Sequence, residues 1–215
     1  MRFLVPYLAT HGLRPVQRFF PDLLWRVQAH SKTAYLTFDD GPTSDGTRPL
    51  LDLLATYDAR ATHFLIGSHA RQHPNRVREI AEAGHRLGNH TFTHVDPWHE
   101  PADSLLQEAE RTTAVLEDIV QRPIRALRPP YGRPTRALRR WCAERDQRMV
   151  MWDVMPGDYL KTATARRVSR FVIRHVRPGS IIVLHDNPIC TEVTLPALET
   201  ILQTLTRRGW TFDAL

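Results

Sequence analysis

The sequence predicts an α/β domain built on a parallel β-sheet, and three observations support this fold class. The chain has 215 residues, of which 42% are hydrophobic, which suffices for one domain with a sizeable core. Short β-rich runs alternate with longer runs of helical periodicity, as in parallel strands joined by helical crossovers. Titratable residues follow most of the predicted strands, at the edge of a parallel sheet where active sites lie.

The predicted elements begin with an N-terminal extension, residues 1–30. Its apolar residues recur at helical spacing, at Val16, Phe19, Phe20, Leu23 and Leu24. We therefore expect one amphipathic helix that packs on the remaining domain, residues 31–215.

Strands and helices then alternate along the domain. The strands are predicted at 34–38, 61–66, 86–89, 126–128, 149–153, 180–184 and 210–212. The helices are predicted at 49–57, 75–83, 102–120, 134–145, 164–174 and 195–208. Pro49 in a first helical turn, and Gly84 and Gly209 directly after two helices, are typical helix boundaries.

The sequence contains no predicted membrane or secretion segment. No run approaches the ~18 apolar residues of a membrane span. The apolar segment 3–9 is interrupted by Pro6 and lacks the small-residue cleavage site of a signal peptide. We expect a cytoplasmic protein, with the cell envelope as the alternative.

The chain is basic, with a formal net charge of +6 and an isoelectric point of about 9.9. Such a charge could serve nucleic acid, anionic lipid or an acidic polymer. The basic residues are spread over predicted helices, which favours solvated helix faces, so we expect no nucleic-acid partner. Cys142 and Cys190 lack the spacing of a thiolate metal site or a disulfide framework.

Two adjacent carboxylates, Asp39 and Asp40, follow the first predicted strand. They repel each other, so either a metal or a buried cation holds them, or they form a solvated acidic turn. His90 and His94 follow the third strand at a spacing that places both imidazoles on one side. Two imidazoles and a carboxylate form a ligand set of catalytic zinc, and Co²⁺, Ni²⁺, Mn²⁺ and Fe²⁺ also accept such ligands. The combination favours one divalent ion at Asp40, His90 and His94.

A histidine and an arginine follow two further strands. His185 ends an apolar run, where a carboxylate partner would orient it as a general acid. Asp158 and Asp186 are both available as that partner, and a hydrogen-bonded core histidine is the alternative interpretation. Arg128 could hold Asp39 ionised and fixed in orientation.

Five ordered motifs in this sequence resemble those of the polysaccharide deacetylase family, also called carbohydrate esterase family four. They are TFDDGP at 37–42, GNHTFTH at 88–94, RPPYG at 128–132, Asp158-Tyr159, and VLHD at 183–186. The resemblance extends from about residue 34 to the C-terminus. It implies a distorted parallel (β/α) barrel of about seven strands, with residues 31–215 as the catalytic domain.

The resemblance also implies roles for the matched residues. Asp40, His90 and His94 would bind the divalent metal, most simply Zn²⁺. Asp39 would be the general base that deprotonates the attacking water, and Arg128 would pair with it.

The leaving-group side of the reaction involves other matched residues. His185 would be the general acid, tuned by Asp158, and the backbone N–H of Tyr131 would help to hold the oxyanion. Two positions depart from the family pattern: Tyr159 stands where the family usually has Trp, and Val183 where it usually has Leu. In relatives these residues line the pocket for the acetyl methyl, so the departures bear on the acyl group.

The other histidines give weaker signals. His63 and His99 stand closest to the expected site, and the second strand reads ATHF at 61–64 where the family usually has ATFF. Four other histidines are interpreted as surface residues: His30, His69, His73 and His85.

Three functions remain open from the sequence. The first is metal-dependent N-deacetylation of a glycan that contains N-acetylhexosamine, by a monomer. The second is hydrolysis of another amide or ester, such as a formamido sugar, a cyclic amide or O-acetyl xylan. The third is non-catalytic binding of an acidic polymer. This function does not explain the pattern of Asp, His and Arg residues at the predicted strand ends.

Overall fold

The computed structural model describes Pro6, Thr10, residues 17–188 and residues 191–215. Its strands are β1 (Thr33–Asp39), β2 (Ala61–Leu65), β3 (Arg86–Asn89), β4 (Ala126–Leu127), β5 (Arg148–Met149), β6 (Ile181–His185) and β7 (Thr211–Phe212). Its α-helices are α1 (Thr47–Thr56), α2 (Gly67–Gln72), α3 (Pro74–Glu82), α4 (Ala102–Val120), α5 (Arg136–Glu144), α6 (Ala165–His175) and α7 (Thr191–Arg207). Every predicted strand and helix of the domain is confirmed in type, whereas α2 was not predicted.

The strands form a parallel sheet that curls into a distorted (β/α) barrel. Their order is β5-β4-β3-β2-β1-β6, and β7 pairs with the start of β1. Beyond β5 the chain returns to β6, where Val154 pairs with Ile182 and accepts a hydrogen bond from the Val183 N–H at 3.0 Å. The predicted fold class is therefore confirmed.

The fifth strand is shorter than predicted because its partner β4 ends at Leu127, so the ladder between them has only two residue pairs. On its other edge the segment pairs with Leu24, whose N–H donates to the Met149 carbonyl at 2.9 Å and whose carbonyl accepts from the Met151 N–H at 2.8 Å. The regular strand therefore ends at Met149.

The alternation of side chains along each strand separates the outer core from the barrel interior. On β1, Phe38 packs outward with residues of α1, α6 and α7. Its neighbours Thr37 and Asp39 point inward, and Val183 and His185 of β6 lie level with them. Because the strands are parallel, the inward-facing residues at their carboxyl ends share one end of the barrel.

The N-terminal extension differs from the prediction. Over residues 20–30 the backbone forms turns and isolated bridges, so the expected helix is wrong there. Leu23 and Trp25 are buried against the barrel, which satisfies the apolar pattern without a helix. Residues 1–5, 7–9 and 11–16 of the predicted helix lie outside the described residues. Among the described residues, none of the helices combines the length and apolar character needed to span a membrane.

Candidate active site

The carboxyl ends of β1 and β3 bring Asp40, His90 and His94 together. One ligand atom from each residue lies within 4.8 Å of the other two. The distances from Asp40 Oδ1 are 3.5 Å to His94 Nε2 and 3.7 Å to His90 Nε2. These atoms are too far apart to hydrogen bond well, but their spacing suits three ligands around one small cation.

Hydrogen bonds from outside this triad orient its ligand atoms. His90 Nδ1 lies 2.8 Å from the Arg128 carbonyl oxygen, so the Nδ1–H donates to that carbonyl and Nε2 is the ring nitrogen that faces Asp40. The Asn187 amide donates to Asp40 Oδ2 at 2.8 Å, which leaves Oδ1 directed at the two histidines.

The charge states of the triad also suit a divalent cation. Burial, aided by the nearby His90, lowers the pKa of His94 to about 4, so its imidazole is neutral at neutral pH. Burial by itself would raise the pKa of Asp40, but His90, His185 and the Asn187 hydrogen bond bring it below its usual value. A neutral imidazole and an ionised carboxylate are the forms that bind metal.

Unusual backbone conformations are concentrated at this end of the barrel. Asp40, Thr91, His94 and Tyr131 all have a positive φ, between 57° and 75°. Non-glycine residues adopt this conformation at a cost, and such strain is typical of functional sites. The left-handed backbone at Asp40 turns its carboxylate toward His90 and His94. The backbone of Asp39 instead continues the extended conformation of β1.

A carboxylate of α4 fastens the loop that carries the two histidines. Glu108 Oε2 accepts hydrogen bonds from the Phe92 N–H at 2.9 Å, the Thr93 N–H at 2.6 Å and Thr93 Oγ1 at 3.0 Å. Asn89 Oδ1 also accepts from the Thr91 N–H at 2.8 Å. The loop is therefore held through its backbone, which fixes the position of His94.

Asp39 forms a buried ion pair with Arg128. Arg128 Nη1 donates to Asp39 Oδ1 at 2.7 Å and to Thr37 Oγ1 at 2.7 Å, and Nη2 donates to the Met151 carbonyl at 2.8 Å. The guanidinium also lies 4.2 Å from the centre of the Phe64 ring. Arg128 is fully buried, and the other oxygen of Asp39 faces the triad.

His185 pairs with Asp158 across the site. His185 Nδ1 lies 2.8 Å from Asp158 Oδ1, and Asp158 Oδ2 accepts from the His185 N–H and from Thr194 Oγ1. Burial lowers the pKa of His185, but the charge and hydrogen bond of Asp158 outweigh it and raise the pKa to about 9. Asp186, the other candidate partner, instead accepts a 2.6 Å hydrogen bond from Thr47.

The residues expected to contact substrate lie at different depths. Tyr131 is exposed and its ring meets that of His94 edge-on, with centroids 4.8 Å apart. No acceptor among the described residues takes the Tyr131 N–H. The Tyr159 ring lies 5.0 Å from His185, whereas Val183 is only 1% exposed and lies deeper in the barrel.

Sequence reasoning misjudged several other residues. His69, expected on the surface, lies on α2 with Nδ1 3.0 Å from the Asp40 carbonyl oxygen. His85 is buried, so its surface interpretation is also wrong. His63 stacks on Phe38 on the outer side of the sheet, away from the triad. Asn187 and Glu108 were missed because single amide and carboxylate contacts leave no recognisable spacing in a sequence.

Comparisons with known proteins identify the family of the chain. The family model described as polysaccharide deacetylase matches residues 26–150. A peptidoglycan-N-acetylglucosamine deacetylase from Bacillus cereus is 33% identical over 84% of this chain, which spans 66% of that relative. A chitooligosaccharide deacetylase from Bradyrhizobium sp. is 33% identical over 86% of this chain and 90% of its own length.

A solved structure is also similar to this chain. The Bc1960 peptidoglycan N-acetylglucosamine deacetylase, in complex with 4-naphthalen-1-yl-N-oxidanyl-benzamide, superposes with a TM-score of 0.88. It is 28% identical, and the match covers 94% of both chains. By the match to the family model and these relatives, the chain belongs to the polysaccharide deacetylase family.

Proposed function

We propose that this chain is a metal-dependent hydrolase that removes N-acetyl groups from a glycan containing N-acetylhexosamine, of the chitooligosaccharide or peptidoglycan type. The observation that carries the proposal is the triad of Asp40, His90 and His94 at the barrel end where Asp39 and His185 lie level with each other on β1 and β6. A cation site with two proton-transfer groups near it is what amide hydrolysis requires. The names of the relatives support the glycan class.

Asp40, His90 and His94 would hold the cation, with Zn²⁺ as the expected ion. A bound divalent cation supplies polarisation of the acyl carbonyl and lowers the pKa of water in the site toward ~7. The neutral imidazole of His94 and the ionised carboxylate of Asp40 match this demand.

Asp39 is the general base in this proposal. Its oxygen Oδ2 faces the triad, and the 2.7 Å bond from Arg128 to Oδ1 fixes the orientation of the carboxylate. Asp39 accepts a proton from the attacking water as the new C–O bond forms. The Tyr131 N–H, which has no acceptor among the described residues, donates to the developing oxyanion.

His185 is the general acid. With its pKa raised to about 9, the imidazole is protonated at neutral pH, and Asp158 on Nδ1 leaves Nε2–H to donate. The C–N bond breaks as this proton reaches the leaving nitrogen, because an unprotonated amine is a poor leaving group. The products are acetate and a free amino sugar.

An acetate-release screen tests the proposal. We would incubate the chain with Zn²⁺ or Co²⁺ and with chitooligosaccharides, peptidoglycan fragments or acetylated xylan. We expect acetate from at least one N-acetylated glycan. The Asp39→Asn variant should lose at least about 100-fold in rate while it still binds metal.

Two outcomes would overturn the proposal. Release only from acetylated xylan would make the chain an esterase, and release from none of the three, with metal bound, would reject deacetylation of these glycans. Because all the site residues come from one chain, we expect a monomer to be active.

A further inference from the structure

Exposed aromatic side chains are concentrated around the candidate active site. The large hydrophobic side chains that are most exposed in the described residues are those of Phe19, Trp98, Tyr131 and Tyr159. Two of them contact site histidines, since Tyr131 packs against His94 and Tyr159 against His185. Exposed apolar surface is unfavourable in an isolated protein, so such a concentration indicates a surface that a ligand covers.

Trp98 extends this surface away from the triad. Its side chain is 64% exposed, and that of Tyr131 is 61% exposed. The Arg133 guanidinium lies over both rings, 4.8 Å from the centre of Trp98 and 5.5 Å from that of Tyr131. Trp98, Arg133 and Tyr131 therefore form a continuous ridge, the aromatic ridge, that begins at His94.

The ridge is fixed in place by a carboxylate. Asp96 forms a salt bridge with Arg133 Nη1 and accepts hydrogen bonds from His99 Nδ1 at 2.8 Å and from the Trp98 N–H at 3.1 Å. These contacts join the loop after β3 to the segment after β4. A rigid aromatic surface loses little conformational entropy when a ligand binds to it.

Packing within the protein does not account for Trp98. Its indole Nε1 makes one long contact of 3.5 Å with the Pro134 carbonyl, and most of the ring stays in solvent. A tryptophan with a structural role is usually buried, with its N–H bonded.

We propose that the aromatic ridge binds a second sugar residue of the glycan, next to the sugar that loses its acetyl group. The C–H face of a pyranose ring stacks on aromatic rings, and its hydroxyl groups can hydrogen bond with Arg133 and Asp96. The proposal rests on the proposed function and makes it more specific. The chain acts on oligosaccharides, and Trp98 determines how well a longer glycan is bound.

The test compares two substrates with the metal-loaded protein. One is a tetrasaccharide of N-acetylglucosamine, which can cover the ridge, and the other is an aryl acetate without any sugar. Trp98→Ala should lower kcat/KM for the tetrasaccharide about tenfold, mainly through KM, and leave the aryl acetate within about twofold. Trp98→Phe, which keeps an aromatic face, should restore most of the loss.

Phe19→Ala is the matched control. Phe19 is 79% exposed and is not among the residues that contact the site, so its removal should change neither substrate. Equal losses on both substrates in Trp98→Ala would show a structural role and overturn the ridge proposal. An unchanged KM for the tetrasaccharide would also overturn it, while acetate release by the wild type would leave the proposed function intact.

A binding measurement separates the ridge from catalysis. In the Asp39→Asn variant, calorimetric titration should detect binding of the tetrasaccharide, and adding Trp98→Ala should weaken the Kd about tenfold. If the wild type releases no acetate, this titration still decides the ridge: a Kd unaffected by Trp98→Ala contradicts it.

Discussion

Asp39 and Asp40 are neighbours in sequence with different surroundings, and this difference separates their roles. Asp39 receives the guanidinium of Arg128, whereas Asp40 faces two imidazoles and the Asn187 amide. The positive φ of Asp40 keeps the two carboxylates from following the same path. The two carboxylates can stay close together because Arg128 supplies the opposite charge for Asp39, while the Asn187 amide donates a hydrogen bond to Asp40.

Removing Arg128 should therefore destabilise the fold. Arg128→Met leaves the carboxylate of Asp39, only 6% exposed, without its cation, and we expect a loss of about 3–5 kcal/mol in the free energy of unfolding. Urea denaturation measures it. The exposed pair of Arg140 and Glu144 is the control, since Arg140→Met should cost less than about 1 kcal/mol. Similar losses in both variants would contradict a special role for the buried pair.

The pH profile should reveal the pairing of His185 with Asp158. The folded-state pKa of His185 is raised above its usual value, so the protonated acid is present at neutral pH and is lost as pH rises through about 9. Asp158→Asn removes the main group that raises this pKa, so the alkaline limb of kcat/KM should move to lower pH. If the alkaline limb stays at the same pH, the pKa that it reports belongs to a group other than His185.

The family resemblance assigns Tyr159 and Val183 to the pocket for the acyl group. The Tyr159 ring lies 5.0 Å from that of His185, and Val183 is buried, so both would offer apolar surface to an acyl methyl. We expect acetyl to be preferred over both formyl and propionyl by about tenfold, the usual worth of one methyl or methylene contact. The measurement is kcat/KM for the three acyl forms of one glucosamine oligomer. Formyl faster than acetyl by tenfold or more would make the chain a deformylase.

At the scale of elements, helices hold the loops that follow the strands. Glu108 on α4 accepts three hydrogen bonds from Phe92 and Thr93, between the two histidine ligands. Gly88, at the end of β3, has no room for a side chain, because a Cβ there would lie 2.4 Å from the Phe64 ring that supports Arg128. The positions of the candidate metal ligands thus depend on packing one layer away from them.

Glu108→Ala should weaken metal binding without removing a ligand. The variant leaves two backbone N–H groups without acceptors and frees the loop before His94, so we expect the Kd for Zn²⁺ to rise about 10- to 100-fold. Competition with a chelating dye measures it. Asp118→Ala, an exposed carboxylate on the same helix, should leave the Kd unchanged. Equal Kd values for all three proteins would show that the loop holds its shape without Glu108.

Some elements could be predicted from the sequence and others could not. The difference is whether the pattern that indicates an element lies within a short stretch of sequence. Helix α4 and strand β3 were predicted with their observed bounds, since periodicity and glycine boundaries are local. Helix α2 is six residues long and begins at Gly67, where a Cβ would lie 2.6 Å from Phe92. Its position depends on contacts between residues distant in sequence, so no local pattern indicated it.

The same distinction applies to the site. Most site residues could be predicted because each stands where a parallel strand ends and because the motifs resemble a known family. These are the three residues of the triad together with Asp39, Arg128 and His185. Asn187 and Glu108 act through single contacts that only the folded chain reveals. The buried state of Val183 likewise follows from the closed barrel, which a strand count alone does not specify.

The two ends of the barrel differ chemically. A cavity of about 780 Å³ lies at the amino-terminal end of the strands, lined by Arg86, Arg125 and Arg148 among others. The one cluster of side chains found in the described residues that could hold a metal ion lies at the carboxyl end. The polarity of the parallel sheet therefore places the candidate active site at one end of the molecule.

The most direct test of the metal centre is a zinc titration of the metal-free protein, followed by acetate release from an N-acetylglucosamine tetrasaccharide. We expect the rate to rise from near zero and to reach its plateau at one Zn²⁺ per chain. The His90→Ala/His94→Ala variant should show no rise. Full acetate release by the metal-free protein, or an equal rise in the double variant, would contradict the assignment of a metal centre to Asp40, His90 and His94.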